Sequence, residues 1–152
     1  MFENSPNAIV VTDTHGNVLD QNNAVERIFG IPRYESVGKN FGNFGIFDSE
    51  QISLITSRVK KMFNGTIIKP ISLKVKDKFG NDLWILHQSS IINIGDEKII
   101  ESIIQDITER KKAEEIIKTE NKRLLELNKM KTDLVTRVSH ELKTPLNSIY
   151  GG

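Results

Sequence analysis

Apolar positions change their period along the chain, and each change marks an element. Residues 8–12 are apolar and β-rich, the run stops at Asp13-Thr14-His15-Gly16, and Asn17-Val18-Leu19-Asp20-Gln21 resumes it. Two such runs around an Asp/Gly turn predict a hairpin. Asn23 and Glu26 have capping-box spacing, and Ala24, Val25, Ile28 and Phe29 form one apolar face before Gly30 and Pro32 stop the helix. A shorter helical turn around Tyr34-Glu35-Ser36-Val37 ends at Gly38. Asp48 with Gln51 opens a longer helix, striped by Ile52, Ile55, Val59 and Met62 down to Asn64-Gly65. Residues 66–75, 83–93 and 98–107 then read as strands separated by polar turns.

Two strands, short helices, one longer helix and three strands suggest an α+β fold. The expected architecture is a five-stranded antiparallel sheet with the helices gathered on one face. Such a sheet and its helices can enclose a small pocket. Phe41, Phe44 and Phe47, interleaved with Gly42 and Gly45, read as core-facing aromatics on a flexible connector. That segment lacks the lysine and following Ser/Thr of a phosphate-binding loop.

From Ile107 the period becomes helical, with no glycine or proline before Pro145. Ala113, Ile117, Glu120, Leu124, Leu127, Lys131, Leu134 and Val138 are spaced alternately by four and three, a heptad seam with two polar positions. Polar seam residues weaken a coiled coil and can set its register. The expected arrangement is a parallel homodimer, with a helix lying on a neighbouring domain as the competing one.

Composition narrows the chemistry more than the fold. With 152 residues there is room for one domain and an appendage, and the absence of cysteine excludes disulfides, cysteine-ligated zinc and a cysteinyl-flavin adduct. A net charge of +1 gives no reason to expect nucleic acid or an anionic membrane as partner. No apolar run has the length of a membrane span, and no basic region followed by an apolar one marks a signal peptide. His15 at the hairpin tip has no ligand set around it and reads as an exposed turn residue. His87, inside a strand, reads as a satisfied or half-exposed histidine, and Trp84 as a sheet aromatic in the core.

One stretch collects reactive groups: Ser139-His140-Glu141-Leu142-Lys143-Thr144-Pro145-Leu146. Leu134, Val138, Leu142, Pro145 and Ile149 form the apolar stripe of that helix. His140 lies two residues past Val138, roughly 200° around the axis, so its imidazole should face solvent. A neutral imidazole is a nucleophile, and a carboxylate bonded to its other nitrogen fixes the tautomer. Glu141 is the candidate carboxylate, although adjacent positions on an ideal helix do not face each other. Thr144, at i+4, shares the face of His140 and could position a water or a phosphoryl oxygen. Pro145 should loosen or kink the helix beyond the site.

The run SHELKTPLNSI resembles the phosphoacceptor box of sensor histidine kinases. The resemblance implies that His140 is the phosphoacceptor, Glu141 the general base, and Thr144 the residue that assists hydrolysis of a response regulator's phosphoaspartate. Asn4-Ser5-Pro6-Asn7-Ala8-Ile9-Val10-Val11-Thr12-Asp13, Gly16-Asn17, Asn22 to Ala24, Gly38-Lys39 and Asp106-Ile107-Thr108-Glu109-Arg110 are similar to a PAS sensor domain. Asp-Ile-Thr marks where that family passes from sheet to signalling helix. The implied division is a PAS-like sensor at 1–108, a coiled-coil linker at 109–133 and the first helix of a phosphoacceptor domain at 134–152.

Haem-binding members of that family carry a histidine on the long helix, and residues 49–63 contain none, so haem is not expected. The sensor's ligand, an undetermined metabolite or none, stays open. The kinase resemblance also implies a second bundle helix and an ATP domain with its magnesium, neither within these residues. The expectation is a piece of a longer kinase that does not phosphorylate itself alone. Its partners would be a second copy, a response-regulator receiver domain and a kinase ATP domain in trans, in the cytoplasm. The competing function is a PAS sensory and dimerisation scaffold without phosphotransfer.

Overall fold

The computed structural model describes residues 2–151, with side chains described for residues 2–142. The chain forms two compact units, Met1–Thr108 and Glu109–Gly152. The first contains β1 (Ala8–Thr12), β2 (Val18–Gln21), α1 (Asn23–Phe29), α2 (Arg33–Ser36), a 3-10 turn at Phe41–Asn43, α3 (Ser49–Phe63), β3 (Ile71–Lys76), β4 (Asp82–Ile94) and β5 (Glu97–Asp106). The helix α4 (Thr108–Gly151) supplies the second.

The five strands make one antiparallel sheet in the order β2-β1-β5-β4-β3. The last strand in the chain is therefore the middle strand of the sheet. Strand alternation sends Ile85 and His87 of β4 to one face, where α1 and α3 lie. Ala8, Ala24, Val25, Phe29, Ile55, Leu73, Val75, Ile85 and Ile104 form the core between sheet and helices. Ile85 and Ala8 are fully buried.

Two of the polar turns use one device. Asp13 Oδ1 accepts from the backbone N–H groups of His15 and Asn17, both at 2.9 Å, and Asp77 Oδ1 accepts from those of Phe79 at 2.9 Å and Asn81 at 2.8 Å. These are Asx turns, in which a short carboxylate replaces a backbone acceptor. Gly16 adds a packing requirement. Its φ is +88°, and a Cβ there would stand 2.8 Å from the Phe41 ring, so the hairpin tip and the aromatic connector come together only with glycine.

The capping box at Asp48 is present in both directions: Gln51 N–H donates to Asp48 Oδ1 at 2.8 Å, and Asp48 N–H to Gln51 Oε1 at 3.0 Å. The box expected at Asn23 and Glu26 is not. The cap is Asn22, and its side chain makes no cap bond. Instead Asn22 accepts from Ile9 N–H at 2.9 Å and donates to the carbonyls of Asn7 at 2.9 Å and Phe2 at 3.0 Å, tying the N-terminal segment to α1. A long-range network there replaces the local cap. The third strand begins at Ile71 rather than at residue 66, immediately after Pro70, which has no N–H to give a ladder. Trp84 is half-buried and points to the sheet face opposite Ile85, outside the core.

The exit from the sheet is tightly bonded. Ile107 is buried, and its N–H donates to the Trp84 carbonyl at 2.8 Å. Thr108 Oγ1 donates to Asp106 Oδ1 at 2.6 Å while accepting from Trp84 N–H at 3.1 Å. The same Asp106 oxygen accepts from Thr108 N–H at 3.0 Å, a negative charge at a helix start. Asp106-Ile107-Thr108 thus joins the start of α4 to two adjacent strands.

The helix α4 is 44 residues long and continues through Pro145. Surface pairs such as Arg110–Glu114 at 3.3 Å add only tenths of a kcal/mol each, about 0.3–0.5. Its apolar residues are exposed: Ile117, Leu124, Leu127, Leu134 and Val138 all retain large accessible surfaces in the single chain.

Candidate functional site

The first unit encloses a cavity of about 200 Å³ between the helices and the inner face of the sheet. Its walls are apolar: Val25 and Phe29 of α1, Phe41, Phe44 and Phe47 of the connector, and Ile55, Val59 and Phe63 of α3. Phe41 and Phe47 meet edge to face, with ring centroids 6.0 Å apart and planes at 74°. The connector read as flexible is therefore a packed aromatic wall, steadied by Asn40, whose side chain accepts from Gly42 N–H at 3.0 Å.

The floor differs from the walls. Ladder register puts His87 opposite Ile104, and Ser89 opposite Ser102, so that His87, Ser89 and Ser102 lie together on β4 and β5 facing the cavity. The serine hydroxyls bond to each other at 3.1 Å. Gln21 also lines the cavity, but its amide is already occupied: it donates to the Ile31 carbonyl at 2.8 Å and accepts from Ser36 Oγ at 2.5 Å. That pair pins α2 to the sheet edge.

His87 is 6% exposed; no group among the described residues hydrogen-bonds its imidazole, and its ring nitrogens are not fully buried orphan atoms. Burial, followed by the positive charge of Arg58 on α3, pushes its pKa down to about 4, so the ring is neutral at physiological pH. The satisfied or half-exposed strand histidine expected from sequence is thus a buried, unbonded one. His15 is exposed at the rim, and Lys60 is exposed on the helical side.

In the second unit His140 and Glu141 are both on the exposed surface of α4, at consecutive positions about 100° apart around the axis. The side chain of Thr144 lies outside the described residues, as do those of Lys143 and Pro145. No group of three or more His, Cys, Asp or Glu able to hold a metal ion occurs among the described residues. No helix among them is long and apolar enough to cross a membrane.

Residues 6–109, which span this sheet and the helices over its pocket, match a family model described as PAS domain. The chain belongs to the PAS domain family. The crystal structure of the PAS domain of a protein from Colwellia psychrerythraea superposes with a TM-score of 0.63 at 24% identity, over 71% of this chain and 92% of that one. Sequence similarity extends beyond the PAS domain. The sensor histidine kinase TmoS of Ectopseudomonas mendocina is 24% identical over 153 residues, and the cell-division control histidine kinase PdhS of Brucella ovis is 23% identical over 154. These alignments cover 98% and 99% of this chain but only 16% and 15% of the two kinases. The PAS domain and the helix that follows it are thus similar to the sensor regions of signal-transducing histidine kinases.

Proposed function

We propose that this chain is the sensory input and phosphoacceptor segment of a two-component sensor histidine kinase. The observation that carries the reading is a PAS sheet continuing through Asp106-Ile107-Thr108 into one uninterrupted helix that presents His140 in SHELKTPLNSI. Similarity to sensor kinases over nearly the whole chain supports it. Occupancy of the PAS cavity is the input. Because β5 both floors the cavity and leads into α4, a change in the floor reaches the helix through the Trp84, Asp106 and Thr108 bonds.

The output is phosphoryl transfer. A lone pair on one imidazole nitrogen of His140 attacks the γ-phosphorus of ATP; the N–P bond forms as the bond to the β-phosphate oxygen breaks, and ADP leaves with that electron pair. Glu141 takes the proton from the other ring nitrogen. An aspartate oxygen of a receiver domain then attacks the same phosphorus and releases the imidazole. Thr144 positions the water that later hydrolyses the phosphoaspartate. ATP and magnesium enter with a kinase ATP domain, where the charge stabilisation of transfer resides. The seam through Leu124, Leu127 and Leu134 pairs two copies in the cytoplasm, and Glu120 and Lys131 keep that pairing marginal enough to shift.

The test is incubation of the chain with a histidine kinase ATP domain and labelled ATP, comparing wild type with H140Q. Acid-labile label on wild type alone is the expected result. Label retained by H140Q overturns the assignment of His140. Absence of label from wild type, repeated in a version extended through a second bundle helix, favours a PAS scaffold without phosphotransfer.

A further inference from the structure

We infer that His87, with the Ser89–Ser102 hydroxyl pair, is the polar anchor of the PAS cavity, and that its ligand is a small uncharged molecule with one apolar body and one hydrogen-bonding head. The inference rests on the reading of this cavity as the sensor's ligand site and adds the ligand's chemistry.

A neutral imidazole carries one donor and one acceptor, and the His87 nitrogens, unbonded within the protein yet not sealed from solvent, leave both to whatever fills the cavity. Gln21 and Ser36, which also line this cavity, are engaged: they satisfy each other, with the Ile31 carbonyl completing the amide. His87 lines the cavity, and its imidazole has neither a side-chain nor a backbone hydrogen-bond partner among the described residues. The serine pair adds capacity beside it, because one hydroxyl in an O–H···O pair keeps its own hydrogen for a further acceptor. Both kinds of hydrogen bond are therefore on offer at one end of an otherwise apolar space. A hydroxyl, or an amide, uses both.

The size and charge of the cavity limit the rest. An apolar cavity of ~150 Å³ accommodates benzene, so about 200 Å³ suits a single ring with one or two substituents, or a short chain of equal bulk. Five phenylalanines on the walls favour a flat apolar body. An anionic head would enter a space with no buried cation on its floor. Lys60 is exposed, and Arg58, which does not line the cavity, has its guanidinium donating to the Lys69 carbonyl. The imidazole is neutral and cannot supply the missing charge. Burial without a paired opposite charge disfavours a carboxylate.

The experiment uses the whole chain and three probes of one shape, 4-methylphenol, toluene and 4-methylbenzoate, titrated calorimetrically into wild type, H87L and H87Q. Wild type is expected to bind 4-methylphenol at least about tenfold more tightly than either other probe, the size of one to two net hydrogen bonds. H87L should lose the preference over toluene, and H87Q, which keeps a donor and an acceptor, should recover part of it. Circular dichroism confirms that each variant is folded. Preference for toluene or 4-methylbenzoate in wild type, a preference unchanged in H87L, or no saturable binding of 4-methylphenol by folded wild type each overturns the assignment. None of these readouts involves His140. Failed phosphotransfer with intact phenol binding removes the kinase reading alone, and the converse result removes the ligand reading.

Discussion

The PAS unit and α4 contain similar residue types and use them in opposite ways. In the PAS unit, isoleucine, valine and phenylalanine at alternating strand and helical positions turn inward, and Ala8, Ala24 and Ile85 lose all contact with solvent. In α4 the leucines and isoleucines recur at heptad spacing and stay outside, with Leu125 at 70% and Leu142 at 62% exposed. Residues that touch many neighbours make the first unit's stability a property of one chain. A lone helix stabilises itself through local hydrogen bonds and weak ion pairs, and its apolar stripe gains from burial only against another surface. On the proposed sensory reading that contrast is useful: a self-sufficient receiver would hold a ligand, and a marginal output element would respond to small free energies.

The largest expected effect tests the self-sufficiency of the PAS unit. Ile85→Ala removes the largest fully buried apolar side chain and should cost about 4 kcal/mol, read as a lowered midpoint in urea denaturation followed by circular dichroism. A loss below about 1 kcal/mol would show a core loose enough to collapse around the change, ending the comparison with α4.

Next in size is the acid response of the PAS unit. His87 has its pKa lowered from 6.5 to about 4, so the unfolded chain takes up the proton first as pH falls. The stability associated with the neutral ring is fully present above about pH 6.5, declines through the interval, and is gone below about pH 4, a change of about 3 kcal/mol. Arg58 on α3 is the charged group acting on the ring, and its ladder neighbours Ile71 on β3 and Ile104 on β5 are apolar. H87L should flatten the stability profile between those pH values, isolating this group from the carboxylates that titrate nearby. Parallel wild-type and H87L profiles would mean that the imidazole is hydrated in the native state.

The smallest effect on folding should come from α4. Leu127→Ala removes an exposed side chain and should shift the denaturation of the PAS unit by less than about 0.5 kcal/mol. On the proposed pairing it should nevertheless raise the dimer dissociation constant about tenfold in analytical ultracentrifugation, because a seam position is buried only in the pair. Equal association of variant and wild type would assign the seam to some other partner.

Much of the fold could be read from local chemistry. Asp48 and Gln51 satisfy each other's backbone groups within one turn, and the Asp13 and Asp77 turns close on themselves, so their signals do not depend on distant residues. The errors arose where a local signal met a long-range competitor. Asn23 and Glu26 have the spacing of a cap, yet Asn22 is drawn into bonds with Ile9, Asn7 and Phe2, residues distant in sequence. Residues 66–70 have strand composition, but Pro70 delays the ladder to Ile71. The cavity floor was illegible for a related reason. Leu83-Trp84-Ile85-Leu86 is apolar in both phases of a strand, so alternation alone could not say whether His87 shares its face with the core or with solvent. Pairing with β5 decided it by placing His87 opposite the core residue Ile104.

His140 shows the converse. Its neighbours Val138 and Leu142 define the stripe of one helix, and an exposed position beside such a stripe follows from a 3.6-residue period without any tertiary contact. Its motif, the heptad seam and the order of strands and helices were therefore settled by residues close together in the chain. The depth of His87, the serine pair beside it and the aromatic wall over both depend on strands and helices far apart in sequence meeting across one sheet. Only folding brings those groups together, because burial and ladder register are relations between segments, whereas periodicity and turn chemistry belong to a single segment.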